Sequence, residues 1–485
     1  MSRKNIPWNL SRRDMLRAVG AGSAAAFSVH TGAASQAPAD PQSAVKHASC
    51  WNEVNDVDAS RARQHEQRMA WFNEAKFGMF IHWGPCSLAS VEISWPIMRP
   101  GPQWPITQEE YVNLYKRFNP VKYDPDAWVE LAQEAGQRYM VLVTKHHDGF
   151  CMFDSSYTDY KITNSPYKKD IVRMMGEACH RHGMPLGYYY SPPDMHHPDY
   201  RDTTKLVSEN WEGQPTRHQW PNYLHYLELQ VRELISRYPS PFVLWFDGLG
   251  HQEKYDGYHI VRMIRELSPA TLVNNRIGVP GDFGTPEQFV PQHVPVKGVE
   301  IQGTHRTPPN ELPAGLPTHK DFFNWETCMT INKTWAYNMN DRNFKSTEYL
   351  IRTLVDAASK GGNFLLNVGP TPEGTIQPEF QERLRGIGRW MKKNSDSIYG
   401  TTFGPLQDIP YGRTTAKGNM VYLHVFDWPA GEKLEVHGLK ARVIDVRMLD
   451  GGKRVQFTAT ASGLTIKVPA QAADPADTVL AIKTA

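Results

Sequence analysis

From about residue 70 onward, short apolar runs alternate with stretches patterned for helices. The runs are Phe77 to His82, Tyr139 to Thr144, Pro185 to Tyr190, Phe242 to Phe246, Thr271 to Asn274, Phe322 to Cys328 and Asn363 to Val368. Between them lie helix-patterned segments such as Asp126 to Gln137, Ile171 to His182, Tyr223 to Tyr238 and Ser346 to Ser359. Strands alternating with helices predict a parallel α/β sheet. Seven or eight such repeats favour a (β/α)8-like barrel over an open doubly wound sheet. After Pro405 the texture changes. Met420 to Phe426, Arg442 to Met448 and Leu464 to Val468 are short β-rich runs separated by turn residues such as Asp450-Gly451-Gly452. That spacing predicts a small C-terminal antiparallel β-sandwich. The expected organisation is a polar lead-in over 38–65, a barrel over 66–404 with a Pro- and Gly-rich loop at 292–320, and the sandwich over 405–485.

The first residues carry a different signal. Arg12-Arg13 precede a weakly apolar run from Ala18 to Val29, which ends in small residues with a cleavage-like Ser35-Gln36-Ala37. The run is too short to span a bilayer. Residues 1–37 resemble a twin-arginine-type signal peptide, a receptor-read address that implies a bacterial, exported protein in the periplasm or secreted. No later segment approaches 18 uninterrupted apolar residues, so no membrane span is expected. The net charge of +2 lacks the basic excess of a nucleic-acid binder. Five scattered cysteines, Cys50, Cys86, Cys151, Cys179 and Cys328, show no metal-binding spacing and read as free, mostly buried thiols. Neither GxGxxG after the first strand nor GxxxxGK[ST] occurs, so no nucleotide cofactor is indicated.

In a barrel, the C-terminal tips of the strands carry the chemistry. Here they end in His82-Trp83-Gly84, in Lys145-His146-His147-Asp148-Gly149, in Tyr190-Ser191, in Trp245-Phe246-Asp247 and in Asn274-Asn275-Arg276. Imidazole, guanidinium and carboxylate groups hydrogen-bond hydroxyls, and a Trp face covers the C–H face of a sugar, so the set suits a polyhydroxyl ligand. Asp247 follows an apolar run, where a carboxylate is costly unless hydrogen-bonded or catalytic; capping the next segment is the plainer alternative. His146, His147 and Asp148 offer metal-ligand chemistry, but neighbours at a strand end usually point apart. Glycoside hydrolysis needs a second carboxylate. Glu92, Glu287, Glu300 and Glu326 are all candidates, and spacing does not choose among them.

Several blocks are more specific together than any one alone. They are Lys76-Phe77-Gly78-Met79-Phe80-Ile81-His82-Trp83-Gly84, Thr144-Lys145-His146-His147-Asp148-Gly149-Phe150, Leu244-Trp245-Phe246-Asp247-Gly248, Trp325-Glu326-Thr327-Cys328-Met329-Thr330 and Ser359 through Pro370. In identity and order, over residues 70 to 405, they resemble the α-L-fucosidases of glycoside hydrolase family 29. The resemblance implies an exo-acting retaining hydrolase that removes terminal fucose from glycans without metal or cofactor. Asp247 matches the nucleophile of that family. His82, His146, His147, Tyr190, Trp245 and Arg276 match its fucose-binding positions, with Trp83 beside them. The Thr285-Pro286-Glu287 segment resembles the acid/base loop of some members, which implies Glu287 in that role and Glu300 as second choice. One departure stands out: many members have Ser-Glu-Trp-Tyr after the first strand, whereas this chain reads Val91-Glu92-Ile93-Ser94-Trp95-Pro96. Glu92 and Trp95 are expected to contact substrate from this altered loop. A related glycoside as substrate, or a carbohydrate-binding protein without catalysis, are the alternatives. Members of such families often assemble, so a homo-oligomer is compatible, though no interface is legible.

Overall fold

The computed structural model describes residues 59–200, 219–248, 252–297, 302–303, 316–318, 321–407, 409–460 and 463–485. Residues 1–37, read above as an export signal, and Glu300 lie outside the described residues.

Nine strands occupy the first part of the described chain. They are β1 (Phe77–Ile81), β2 (Tyr139–Lys145), β3 (Leu186–Tyr190), β4 (Val243–Phe246), β5 (Leu272–Val273), β6 (Thr285–Pro286), β7 (Gln302–Gly303), β8 (Glu326–Thr330) and β9 (Asn363–Val368). Seven of them form one parallel sheet in the order β5-β4-β3-β2-β1-β9-β8. The sheet curls on itself, and residues 283–287 fill the gap between its edges. Phe283 bridges Asn274 beyond β5, while Gly284 and Glu287 bridge Trp325 and Cys328 on the β8 side. This seam closes the barrel by isolated parallel bridges, not by a regular ladder. It carries no apolar run of its own, and the sequence pattern therefore shows only seven strands.

The runs between turns are continuous in apolar residues because both faces of each strand are buried. Parity still decides which face a side chain takes. Phe80, Val141, Val143, Tyr189, Val243, Trp245, Cys328 and Leu365 fill the barrel interior. Met79, Leu142, Tyr188, Tyr190, Leu244, Phe246 and Leu366 face the surrounding helices. The helix Ala59–Ala75, which starts within the stretch read as a polar lead-in, places Phe72 and Ala75 against the interior cluster. Outer helices begin where the sequence caps them. Asp170 accepts from the Arg173 N–H at the start of Ile171–Arg181, and Ser346 accepts from the Tyr349 N–H at the start of Thr347–Ser359.

The C-terminal part folds as two antiparallel sheets. One contains β10 (Thr402–Phe403), β11 (Gly412–Lys417), β12 (Met420–Val425), β14 (Val443–Met448) and β17 (Thr478–Thr484); the other contains β13 (Lys433–His437), β15 (Phe457–Thr460) and β16 (Gly463–Lys467). Leu423, Val446 and Ile482 from the first meet Leu434 and Ile466 from the second in a shared core. The first sheet is tied to the barrel helices by Trp390, whose indole N–H donates to Asp477 O, and by Arg352, which donates to Ala476 O and Phe426 O.

The barrel seam depends on one buried ion pair. Arg265 donates to both oxygens of Asp282 at 2.8 and 2.7 Å, and His65 lies 2.9 Å from the same carboxylate. Asp282 in turn accepts from the Val273 N–H, and its own N–H donates to Val273 O, each at 2.7 Å. Burial alone would raise this carboxyl, but Arg265 and His65 outweigh it and hold Asp282 down to about 2. Removing one partner leaves the other charge buried and uncompensated. Asp282→Ala is expected to lose about 3–5 kcal/mol in chemical denaturation at neutral pH. Because the folded pKa lies below the unfolded value, the contribution is complete above the unfolded pKa of about 3.9 and fades as the solution is acidified toward pH 2.

Candidate active site

The C-terminal mouth of the barrel opens into a cavity lined by Phe80, His82, Ile93, Trp95, His146, His147, Tyr189, Trp245, Asp247, Arg276, Glu287, Cys328 and Trp335. Asp247 continues the inward parity of Val243 and Trp245. Its strand end is braced by Asn274, which accepts from the Phe246 N–H and donates to Phe246 O, both at 2.8 Å. Next to it, the Gly248 N–H donates to Arg276 O at 2.8 Å, and a Cβ at 248 would lie only 2.5 Å from that oxygen. Glycine is what lets the two tips approach so closely.

Arg276 organises the centre. Its Nη1 donates to Asp247 Oδ1 at 2.9 Å and to Glu287 Oε2 at 3.1 Å, while Nε and Nη2 donate to Thr285 Oγ1 and O at 2.7 and 2.8 Å. Its guanidinium also lies 4.8 Å from the Trp245 ring centroid. Burial opposes the charge, yet the two carboxylates outweigh it and raise the Arg276 pKa. The Tyr189 hydroxyl donates to Asp247 Oδ2 at 2.9 Å. Glu287 sits on the seam; burial pushes its carboxyl up, Arg276 pulls it down, Asp247 pushes it up again, and the Trp335 indole donates to it.

Three imidazoles face the cavity, each anchored by Nδ1. His82 lies 2.7 Å from Asn367 Oδ1, His146 lies 2.6 Å from Ser94 Oγ, and His147 lies 2.6 Å from Ser191 Oγ. The partners dictate the tautomers. Asn367 donates its amide to Trp335 O, so its Oδ1 can only accept from His82. Ser191 donates its proton to Pro193 O, so it accepts from His147. Ser94 Oγ accepts from the Asp148 N–H, leaving its proton for His146. Burial keeps all three neutral: His82 falls to about 4, and His146 and His147 fall well below the usual value. The cavity therefore presents Nε2 acceptors on His82 and His147 and an Nε2–H donor on His146. A ligand with several adjacent hydroxyls satisfies such a mixed set.

His146, His147 and Asp247 bring three donor atoms of metal-binding type within 4.8 Å of one another. A guanidinium 2.9 Å from that carboxylate already supplies the local positive charge, so the trio suits hydroxyls better than a cation. The adjacent histidines share the cavity, contrary to the strand-end expectation, because β2 stops at Lys145 and both lie in the turn beyond it.

Five of the candidate residues do not line the cavity. Tyr190 points away from the cavity and donates to Gln230 Oε1 at 2.8 Å; Tyr189 takes the inward place. Trp83 packs among Phe118, Tyr123 and Trp128 on the helix side and donates to Thr371 O. Glu92 does not line the cavity. It accepts from the backbone N–H groups of Trp335, Ala336 and Ile93 at 2.8, 3.0 and 3.0 Å and so pins the loop bearing Trp335; burial pushes it up to about 7. Glu326 lies beneath the floor, accepting from Tyr139 and Trp245 at 2.5 and 3.2 Å, and is likewise raised by burial to about 7. Asp148, once a metal candidate, turns to Tyr111 and the Phe150 N–H. Sequence reasoning missed five cavity residues, Phe80, Ile93, Cys328, Tyr189 and Trp335, of which Tyr189 and Trp335 bring polar groups to the two carboxylates. Strand parity held the signal for Tyr189, since it pairs in register with the inward Trp245; Trp335 stands in a loop with no such signal.

The two tyrosines separate by substitution. Tyr189→Phe removes a hydroxyl from a charged oxygen and is expected to lower kcat/KM about 10- to 100-fold. Tyr190→Phe is expected to reduce thermal stability while leaving kcat/KM within about twofold, because only a helix-facing hydrogen bond is lost.

Residues 45–396 match the family model described as Alpha-L-fucosidase, and residues 406–483 match that of the Alpha-L-fucosidase C-terminal domain. The chain is 30% identical over 435 residues to the plasma alpha-L-fucosidase of Homo sapiens, covering 83% of this chain and 86% of that one. The structure is similar to that of alpha-L-fucosidase isoenzyme 1 from Paenibacillus thiaminolyticus, with a TM-score of 0.76 and 35% identity over 87% of this chain and all of the other. It is also similar to a GH29 alpha-L-fucosidase from Bacteroides thetaiotaomicron trapped as a covalent intermediate, with a TM-score of 0.72 and 26% identity over 86% of this chain and 96% of the other. A curled parallel sheet with polar strand tips, followed by an antiparallel β domain, is what these relatives share, and the chain belongs to the α-L-fucosidase family of glycoside hydrolases.

Proposed function

We propose that this enzyme hydrolyses terminal α-L-fucosyl residues from glycans by retaining double displacement, with Asp247 as nucleophile and Glu287 as acid/base. One observation carries the reading: Arg276 Nη1 contacts an oxygen of each carboxylate, at 2.9 and 3.1 Å. Those two oxygens are therefore no more than about 6 Å apart, a bound that accommodates the retaining separation of about 5–5.5 Å.

In the first step, Asp247 Oδ attacks the anomeric carbon as the glycosidic bond breaks, and Glu287 delivers its proton to the departing oxygen. In the second, Glu287 takes a proton from water, whose oxygen displaces the Asp247 ester and regenerates both groups. His82, His146 and His147 receive the ring hydroxyls, and Trp245 offers an apolar face. The solved covalent intermediate of the Bacteroides relative supports this order of events. Export is proposed on the Arg12-Arg13 signal.

Asp247→Ala is expected to abolish turnover of 4-nitrophenyl α-L-fucoside, while Glu287→Ala slows poorly activated leaving groups about 10²- to 10⁴-fold and aryl fucosides far less. EDTA is expected to leave activity intact. Wild-type kcat/KM should fall as pH rises through the elevated Glu287 pKa, because the first step needs its proton, and this alkaline limb should vanish in Glu287→Ala. Hydrolysis of a different aryl glycoside but no α-L-fucoside would favour the alternative substrate reading.

A further inference from the structure

Exposure rises in steps along the cavity wall. The histidines, Tyr189 and Trp245 are buried, Trp95 is half-buried, and Arg99, four residues on, is exposed. The Arg99 guanidinium lies 5.1 Å from the centroid of the Trp95 ring, which itself lines the cavity. This rim is rigidly held. The Ser94 N–H donates to the Tyr111 hydroxyl oxygen at 2.7 Å, and its Oγ joins His146 Nδ1 to the Asp148 N–H. From there one helical turn, Trp95–Met98, buries Pro96, Ile97 and Met98. The Arg99 N–H donates to Trp95 O at 2.8 Å, and Arg99 O accepts from the Trp104 indole and the Gln103 amide at 2.8 and 2.9 Å.

Among the described residues, Arg99 has no ion-pair partner. Glu110, on the adjoining helix, is engaged by the Thr107 N–H and hydroxyl in a capping box. A guanidinium stacked on an aromatic wall keeps its in-plane N–H groups free for a bidentate anion. Because the nucleophile lies deep and the acid/base side opens toward solvent, the mouth is where a departing saccharide must sit.

We propose that Trp95 and Arg99 form a leaving-group subsite for a fucosylated saccharide whose neighbouring sugar carries an anionic group, a sulfate ester or a carboxylate. The subsite rests on the fucosidase reading and adds to it the chemistry of the sugar being released. Trp95 packs against that sugar's apolar face, and Arg99 meets its anion. This is work that the altered Val91–Pro96 loop performs in a chain lacking the usual Ser-Glu-Trp-Tyr block.

The test compares kcat/KM for a neutral fucosyl disaccharide with its 6-sulfated and uronic-acid counterparts of the same linkage. The wild type is expected to favour an anionic acceptor about fivefold, the gain of one solvent-exposed ion pair of about 1 kcal/mol. The ratio should collapse toward unity in Arg99→Met and at about 1 M salt, where the screening length shrinks to about 3 Å. Using the ratio within each variant removes any general effect of the substitution on folding. The two anionic arms distinguish sulfate from carboxylate. A wild-type ratio of one, or a preference that survives in Arg99→Met, overturns the subsite. Failure of the folded wild type to cleave 4-nitrophenyl α-L-fucoside overturns the fucosidase reading and the subsite with it.

Discussion

The bridge from Arg276 to both Asp247 and Glu287 is the constraint on which the site depends. Two carboxylates this close repel each other, and the guanidinium between them makes the arrangement tolerable. It also fits the proposed chemistry. Before attack, the trio holds one positive charge, one negative Asp247 and a protonated Glu287. Once the ester has formed, Asp247 is neutral and Glu287 negative. The net charge of the trio is the same at both stages, so the surroundings need little reorganisation as charge crosses from one carboxylate to the other.

Around that centre the barrel supplies rigidity in layers. The Tyr189 hydroxyl holds Asp247, the proposed nucleophile, and the Asn274 amide braces its strand end at Phe246. Glu326, buried under the floor, fixes Trp245, and Glu92 fixes the loop that brings Trp335 to Glu287. These two glutamates were rivals for the acid/base role on composition alone. Their geometry assigns both to support, because each spends its oxygens on protein donors outside the cavity's reacting centre.

Much of this was legible before any coordinates. Uninterrupted apolar runs ending in His82, His146, Asp247 and Arg276 announced both the barrel and its polar tips. What stayed hidden has physical reasons. The Gly187-Tyr188-Tyr189-Tyr190 run offers three tyrosines in a row, and only pairing with β4 decides that Tyr189 faces in. Trp83 and His82 are neighbours on opposite faces of the same strand end, so chemistry at one says nothing about the other. The seam at 283–287 escaped because its isolated bridges need no apolar run of their own, and the apolar run is the signal by which the other strands were read.

That seam has a consequence for how the molecule loses function. Elsewhere the sheet is held by continuous ladders, but between its edges it is held by isolated bridges, and Glu287 is one of the bridging residues. The ring therefore has a natural opening point, and Glu287, the proposed acid/base, is mounted on it. Partial opening there would disconnect Glu287 from Arg276 while the other strands remained paired. Amide protons of the seam would then exchange with solvent through a lower-energy route than those of β1, β2 and β9. Catalysis would fail in such a substate well before the fold does, making activity a more sensitive gauge of barrel integrity than any spectroscopic signal of unfolding.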